Sequence, residues 1–148
     1  MDRKHLIHEQ LERAFRGPSW HGPALGELLA GVSAEQALAR PLPGAHTIAE
    51  LAAHAAAWKS VVAGWARGGE RRPVSEAEDW PQPGPWTETL EGLEREHVAL
   101  LDAVGALDEA RLDRRLGDDL TLGAALFGVA THDLYHAGQI ALLRRAGG

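Results

Sequence analysis

The chain has 148 residues, 45% of them hydrophobic and 24% charged, a balance that suits one ordinary globular domain over 1–148 and excludes a disordered chain. A formal net charge of -6 argues against nucleic acid as the main partner, because neutralising phosphates takes a surplus of Lys and Arg; a small-molecule partner fits better. Cysteine is absent, which removes disulfides, thiolate ligands and a protein-borne thiol nucleophile, so any metal must rest on histidine, carboxylate or water.

The opening run MDRKHLIHEQLERAF is charged and amphipathic, unlike the apolar centre of a signal peptide, and no apolar run reaches about 18 residues. The expectation is a cytoplasmic protein without membrane contact. Residues 3–16 place Ile7, Leu11, Ala14 and Phe15 on one helical face before Gly17-Pro18 stops them. Between Gly17 and His46 a short helical patch (Ala24, Leu25, Leu28, Leu29) sits among turn signals.

Thr47 followed by Glu50 reads as a capping box, in which each side chain satisfies a backbone N–H left free at a helix start. Beyond it Leu51, His54, Trp58, Val61 and Trp65 recur at spacings of 3, 4, 3 and 4, the inward stripe of a bundle helix. A third long helix, 87–106, repeats the pattern with Leu90, Leu93, His97, Leu100 and Val104. The fourth runs from Thr121 to Ala146 and aligns Leu122, Leu126, Val129, His132, His136, Ile140 and Leu143. No segment alternates as a strand does, so the class is all-α, a four-helix bundle.

The segment RGGERRPVSEAEDWPQPGPW joins the second and third long helices with Pro, Gly and charge. Roughly 20 extended residues span up to about 65 Å, against about 30 Å for a helix of that length. The link can therefore run the height of a bundle and leave those two helices parallel. Trp80 and Trp86 within it read first as pins that fix the loop to the bundle and second as part of a lid.

His132 and His136 lie four residues apart in THDLYHAGQI, one turn apart on one helical face, and His54 interrupts the apolar stripe of another helix. An imidazole aimed into a core is costly unless something binds it, and three such rings form the ligand set of a catalytic-type zinc site; nickel and ferrous iron also accept imidazole. His97 also lies in an inward stripe and is expected to be a supporting or core ring rather than a ligand. His21 and His46 fall in loops and could line a pocket mouth, whereas His5 and His8 read as surface residues.

His132-Asp133-x-x-His136 invites comparison with the H-E-x-x-H zinc peptidases, whose Glu is the general base. Here Asp133 is one methylene shorter and the third candidate ligand lies upstream on another helix, which argues against a peptidase. Asp133 is expected to cap or orient a neighbouring group. Glu50, one turn before His54, is the nearest spare carboxylate by helical position, and metal-bound water could itself be the nucleophile.

The runs PLPGAHTIAELAAHAAAW and GVATHDLYHAGQIALLRR, with Trp20-His21-Gly22-Pro23, resemble the DinB/YfiT-like metalloprotein superfamily over nearly the whole chain. The resemblance implies an up-down-down-up four-helix bundle whose metal is held by one histidine of the second long helix and two of the fourth, matching His54, His132 and His136. It implies either a metal-dependent hydrolase or a transferase or isomerase that uses a low-molecular-weight thiol such as bacillithiol, mycothiol or glutathione. In the thiol case the metal would bind the cofactor's sulfur and favour its thiolate. Homodimers are common among similar proteins. Two other classes remain open: a non-catalytic stress-response module that binds a metal or ligand, and a helical dimer without a metal.

Overall fold

The computed structural model describes residues 2–147. Its helices, in chain order, are α1 (Arg3–Phe15), α2 (Leu25–Leu29), α3 (Ala34–Leu38), α4 (Ile48–Ala66), α5 (Glu76–Asp79), α6 (Trp86–Gly105) and α7 (Leu122–Ala146), with a 3-10 turn at Glu109–Asp113 before α7. Among the described residues there are no strands beyond two isolated bridges, Ser19 with Gly22 and Arg115 with Thr121, so the protein is all-helical.

Helix starts follow local chemistry. The Thr47 hydroxyl accepts from the Glu50 N–H at 3.1 Å while the Glu50 carboxylate accepts from the Thr47 N–H at 2.8 Å, the reciprocal cap expected from the sequence. Asp2 caps α1 through the His5 N–H, and Thr121 caps α7 through the Ala124 N–H. At the end of α4, Gly68 takes φ +108, a left-handed conformation that costs glycine little and turns the chain into the long connection.

The four long helices α1, α4, α6 and α7 pack on one another, most extensively α4 with α6, α1 with α7 and α4 with α7. Their buried apolar residues separate into two clusters. One joins Ile7 and Leu11 of α1 to Val62 and Trp65 of α4, Leu100 and Val104 of α6, and Leu122 and Leu126 of α7. The other joins Phe15 to Ile48 and Leu51 of α4, Trp86 and Leu93 of α6, and Ile140 and Leu143 of α7. Along α4, α6 and α7 the buried polar residues His54, Lys59, His97, Asp133 and His136 fall at or between the two apolar runs, forming a polar layer across the interior.

The connection between α4 and α6 starts beside the first cluster and ends at Trp86 in the second. Trp86 is a pin: it is buried and its indole N–H donates to the Val32 carbonyl at 2.8 Å. Trp80 is placed differently, against the histidines described next.

Candidate metal centre

His54 comes from α4, and His132 and His136 come from successive turns of α7; one ring nitrogen from each lies within 4.8 Å of the other two, a group that could hold a metal ion. The Nε2 atoms converge, His132 lying 3.1 Å from that of His54 and 3.0 Å from that of His136. His54 and His136 are each 5% exposed, while His132 is half-buried.

The opposite ring nitrogens are oriented from outside. His54 Nδ1 donates to the Asp79 carbonyl at 2.6 Å, and His136 Nδ1 donates to Gln139 Oε1 at 2.6 Å. A proton on each Nδ1 leaves each Nε2 as a bare lone pair, and both lone pairs face the Nε2 of His132. One hydrogen at most can sit among the three, so protein atoms alone leave the cluster under-satisfied. A cation fits that donor set, and tetrahedral zinc–imidazole bonds place neighbouring nitrogens about 3.3 Å apart. Burial pushes all three imidazoles below the ordinary histidine value, with His132, which His136 and His54 also disfavour charging, reaching about 3. The rings are therefore neutral at pH 7, as coordination requires.

The connecting segment supplies the cover. Trp80 stacks on His54 with ring centroids 3.8 Å apart and planes within 6°, and His46 stacks on its other face at 3.5 Å. The Asp79 carboxylate accepts from the Trp58 indole N–H at 2.7 Å and lies 3.3 Å from His54 Nδ1. The loop histidine His46 thus reaches the site's edge, whereas His21 is exposed and makes an edge contact with Trp20.

The two carboxylates singled out as helpers are engaged elsewhere. Glu50 is tied to its capping box and to Arg40 at 2.8 Å, and the guanidinium holds its carboxyl below the usual range. Asp133 is fully buried and accepts from the Lys59 ammonium at 2.5 Å. Burial pushes Asp133 up and Lys59 down, each against the attraction of its partner. His97 is fully buried outside the cluster, its Nε2 donating to Glu12 at 2.8 Å and its Nδ1 3.3 Å from Lys59 Nζ.

Sequence reasoning did not find Asp79, Gln139 or Lys59, and it read Trp80 first as a pin and only second as part of a lid, the alternative nearer to its stacking on His54. Gln139 was within reach, since three residues after His136 puts it on the same helical face. Asp79 sits 25 residues from His54 on a segment without periodicity, and no local signal marks it.

No curated protein matches the chain. The model of the DinB superfamily matches residues 19–140, from the WHGP-like segment into α7, and with it the chain is placed: this all-helical protein belongs to the DinB superfamily.

Proposed function

We propose that the chain is a metal-dependent enzyme, a low-molecular-weight thiol S-transferase or a hydrolase, that binds zinc, nickel or ferrous iron through His54, His132 and His136. The observation that carries this reading is the convergence of three Nε2 atoms, two of them on buried rings and the third on the half-buried His132. The same proposal takes residues 1–148 as one domain, an up-down-down-up bundle. Its support is the order of the clusters: α1 and α7 meet the Val62/Leu100 cluster first and the Leu51/Leu93 cluster last, while α4 and α6 meet them in reverse.

A divalent ion there would supply Lewis acidity that favours the deprotonated form of a thiol or of water. The chain's own residues orient and shield. The Asp79 carbonyl and Gln139 fix which nitrogen of His54 and His136 faces inward, and Trp80 covers the outer face of His54. Among the described residues the cluster contains no carboxylate, and Glu50 and Asp133 are committed elsewhere. The one carboxylate beside the cluster is that of Asp79, 3.3 Å from His54 Nδ1 and bonded to Trp58; the thiol reading, with a small thiol such as bacillithiol as the nucleophile, needs no further general base. A small-molecule substrate and a cytoplasmic homodimer belong to the same proposal.

The test is elemental analysis of tag-free protein and of His54→Ala and His136→Ala. The wild type is expected to carry about one metal equivalent that both variants lose. Metal content unchanged by both substitutions would falsify the site. With the metal in place, conjugation of a thiol panel to chlorodinitrobenzene supports the transferase; metal-dependent ester cleavage without conjugation moves the assignment to hydrolase.

A further inference from the structure

A cavity of about 850 Å³ opens between α4 and α7 and, of the three clustered histidines, only His132 reaches its wall. That volume lies in the range of about 300–1,000 Å³ usual for pockets that enclose drug-sized molecules. Trp58 and Trp65 form one side, edge to face with centroids 6.4 Å apart, and Val129 and Leu120 face them. Depth comes from α7, where the residues one and two turns before His132 are Gly128 and Ala124.

Both arginines at this wall are already paired with carboxylates, and the third charged group bonds a neutral donor. The Asp79 carboxylate takes the Trp58 indole N–H, Arg71 pairs with Asp119 at 2.8 Å and bonds the Leu116 carbonyl, and Arg72 pairs with Glu78 at 2.6 Å. An anionic ligand would find both arginines already paired and the Asp79 carboxylate beside it, and would shed its hydration without compensation. An uncharged ring would gain apolar burial and aromatic edge contacts at once.

We propose that the substrate of the three-histidine site carries an aromatic or similarly apolar body without a negative charge, seated between Trp58/Trp65 and the Ala124–Gly128 face of α7, with its reacting end at His132. The assignment deepens the metal-enzyme reading and rests on it for the word substrate.

Gly128 offers a clean test. A Cβ built there meets nothing within 4 Å, so a larger side chain projects into open space at the cavity, and a residue other than glycine favours the helix. Calorimetric titration of metal-loaded wild type with 1-naphthol is expected to saturate at one site, and Gly128→Phe is expected to weaken it at least tenfold. Naphthalene-1-sulfonate, the same ring system with a fixed negative charge, is expected to bind at least tenfold more weakly than 1-naphthol. Metal content and melting temperature, measured on both proteins, are expected to be unaffected by Gly128→Phe.

No saturable naphthol binding, or equal binding to the variant, overturns the pocket and leaves the metal reading standing. Preference for the sulfonate overturns the exclusion of anions and would mean that Arg71 or Arg72 releases its partner. Naphthol binding by a wild type that takes up no metal overturns the three-histidine reading and, with it, the role of this ligand as substrate.

Discussion

His97 shows how a single buried ring can set a pH limit on the protein. Its Nδ1 lies 3.3 Å from the Lys59 ammonium, which can only donate, while its Nε2–H donates to Glu12 at 2.8 Å, an arrangement that needs the neutral imidazole. Burial, followed by the nearby Lys59 charge, pushes its pKa down to about 2. Because the folded value lies below the unfolded value of about 6.5, the unfolded chain binds the extra proton, and stability falls as pH drops through that window. One such group contributes a slope of up to about 1.4 kcal/mol per pH unit. In metal-free protein, urea denaturation between pH 7 and pH 5 is expected to show His97→Gln shallower than wild type by up to that amount, since a Gln amide can still accept from Lys59 and donate to Glu12; equal slopes would exclude His97 as the sensor. Residues of this kind were only half legible in the sequence. The inward stripes announced His97 and the three clustered histidines as buried, but Lys59 was passed over, because a lysine next to Trp58 ordinarily reads as surface. Its complete burial makes sense only once Asp133 is seen opposite, 74 residues away.

Helix α4 carries His54 toward one side and Lys59 toward another, so its rotation about its axis is fixed twice over, by the histidine cluster and by the ion pair to α7. The sequence located the long helices well: expected segments at 3–16, 87–106 and 121–146 lie within a residue or so of α1, α6 and α7, because caps and 3.6-residue periodicity are local signals. It did not find α3, α5 or the 3-10 turn, which at four or five residues are too short to display a period. It also placed Val61 in the inward stripe of α4 where Val62 is the more buried, a rotation of one position that brings Lys59 inward. The Lys59–Asp133 pair should behave as a device for alignment more than for stability. Lys59→Met strands the Asp133 carboxylate in the interior and is expected to cost about 3–5 kcal/mol, whereas Lys59→Met with Asp133→Leu is expected to recover most of that loss. Urea midpoints of the three proteins decide it, and a double variant no more stable than Lys59→Met would mean that the two charges are not each other's main partner.

At the scale of the molecule, two apolar clusters grip the helices on either side of a layer that buries five polar side chains, an expensive arrangement unless each is satisfied. Lys59, Asp133, His97 and Glu12 bond one another across α1, α4, α6 and α7, leaving only Asp133 Oδ1 without a partner, whereas in the histidine cluster the Nε2 lone pairs oppose and His132 Nδ1 is also buried without a partner. An ion bound there ties α4 to α7 in the folded state only, since the unfolded chain has no preformed site. At a free metal concentration about 1,000 times the dissociation constant, this linkage contributes about 4 kcal/mol, which for a chain of this size raises the melting temperature by about 8–16 °C. Chelation of purified protein is expected to remove that increment and metal addition to restore it. His54→Ala is expected to melt at one temperature whether metal or chelator is present, because the remaining pair sits on α7 alone and no longer bridges two helices. A wild type whose melting temperature ignores both treatments would leave the buried lone pairs without their counter-charge, and the polar layer would then need a different occupant.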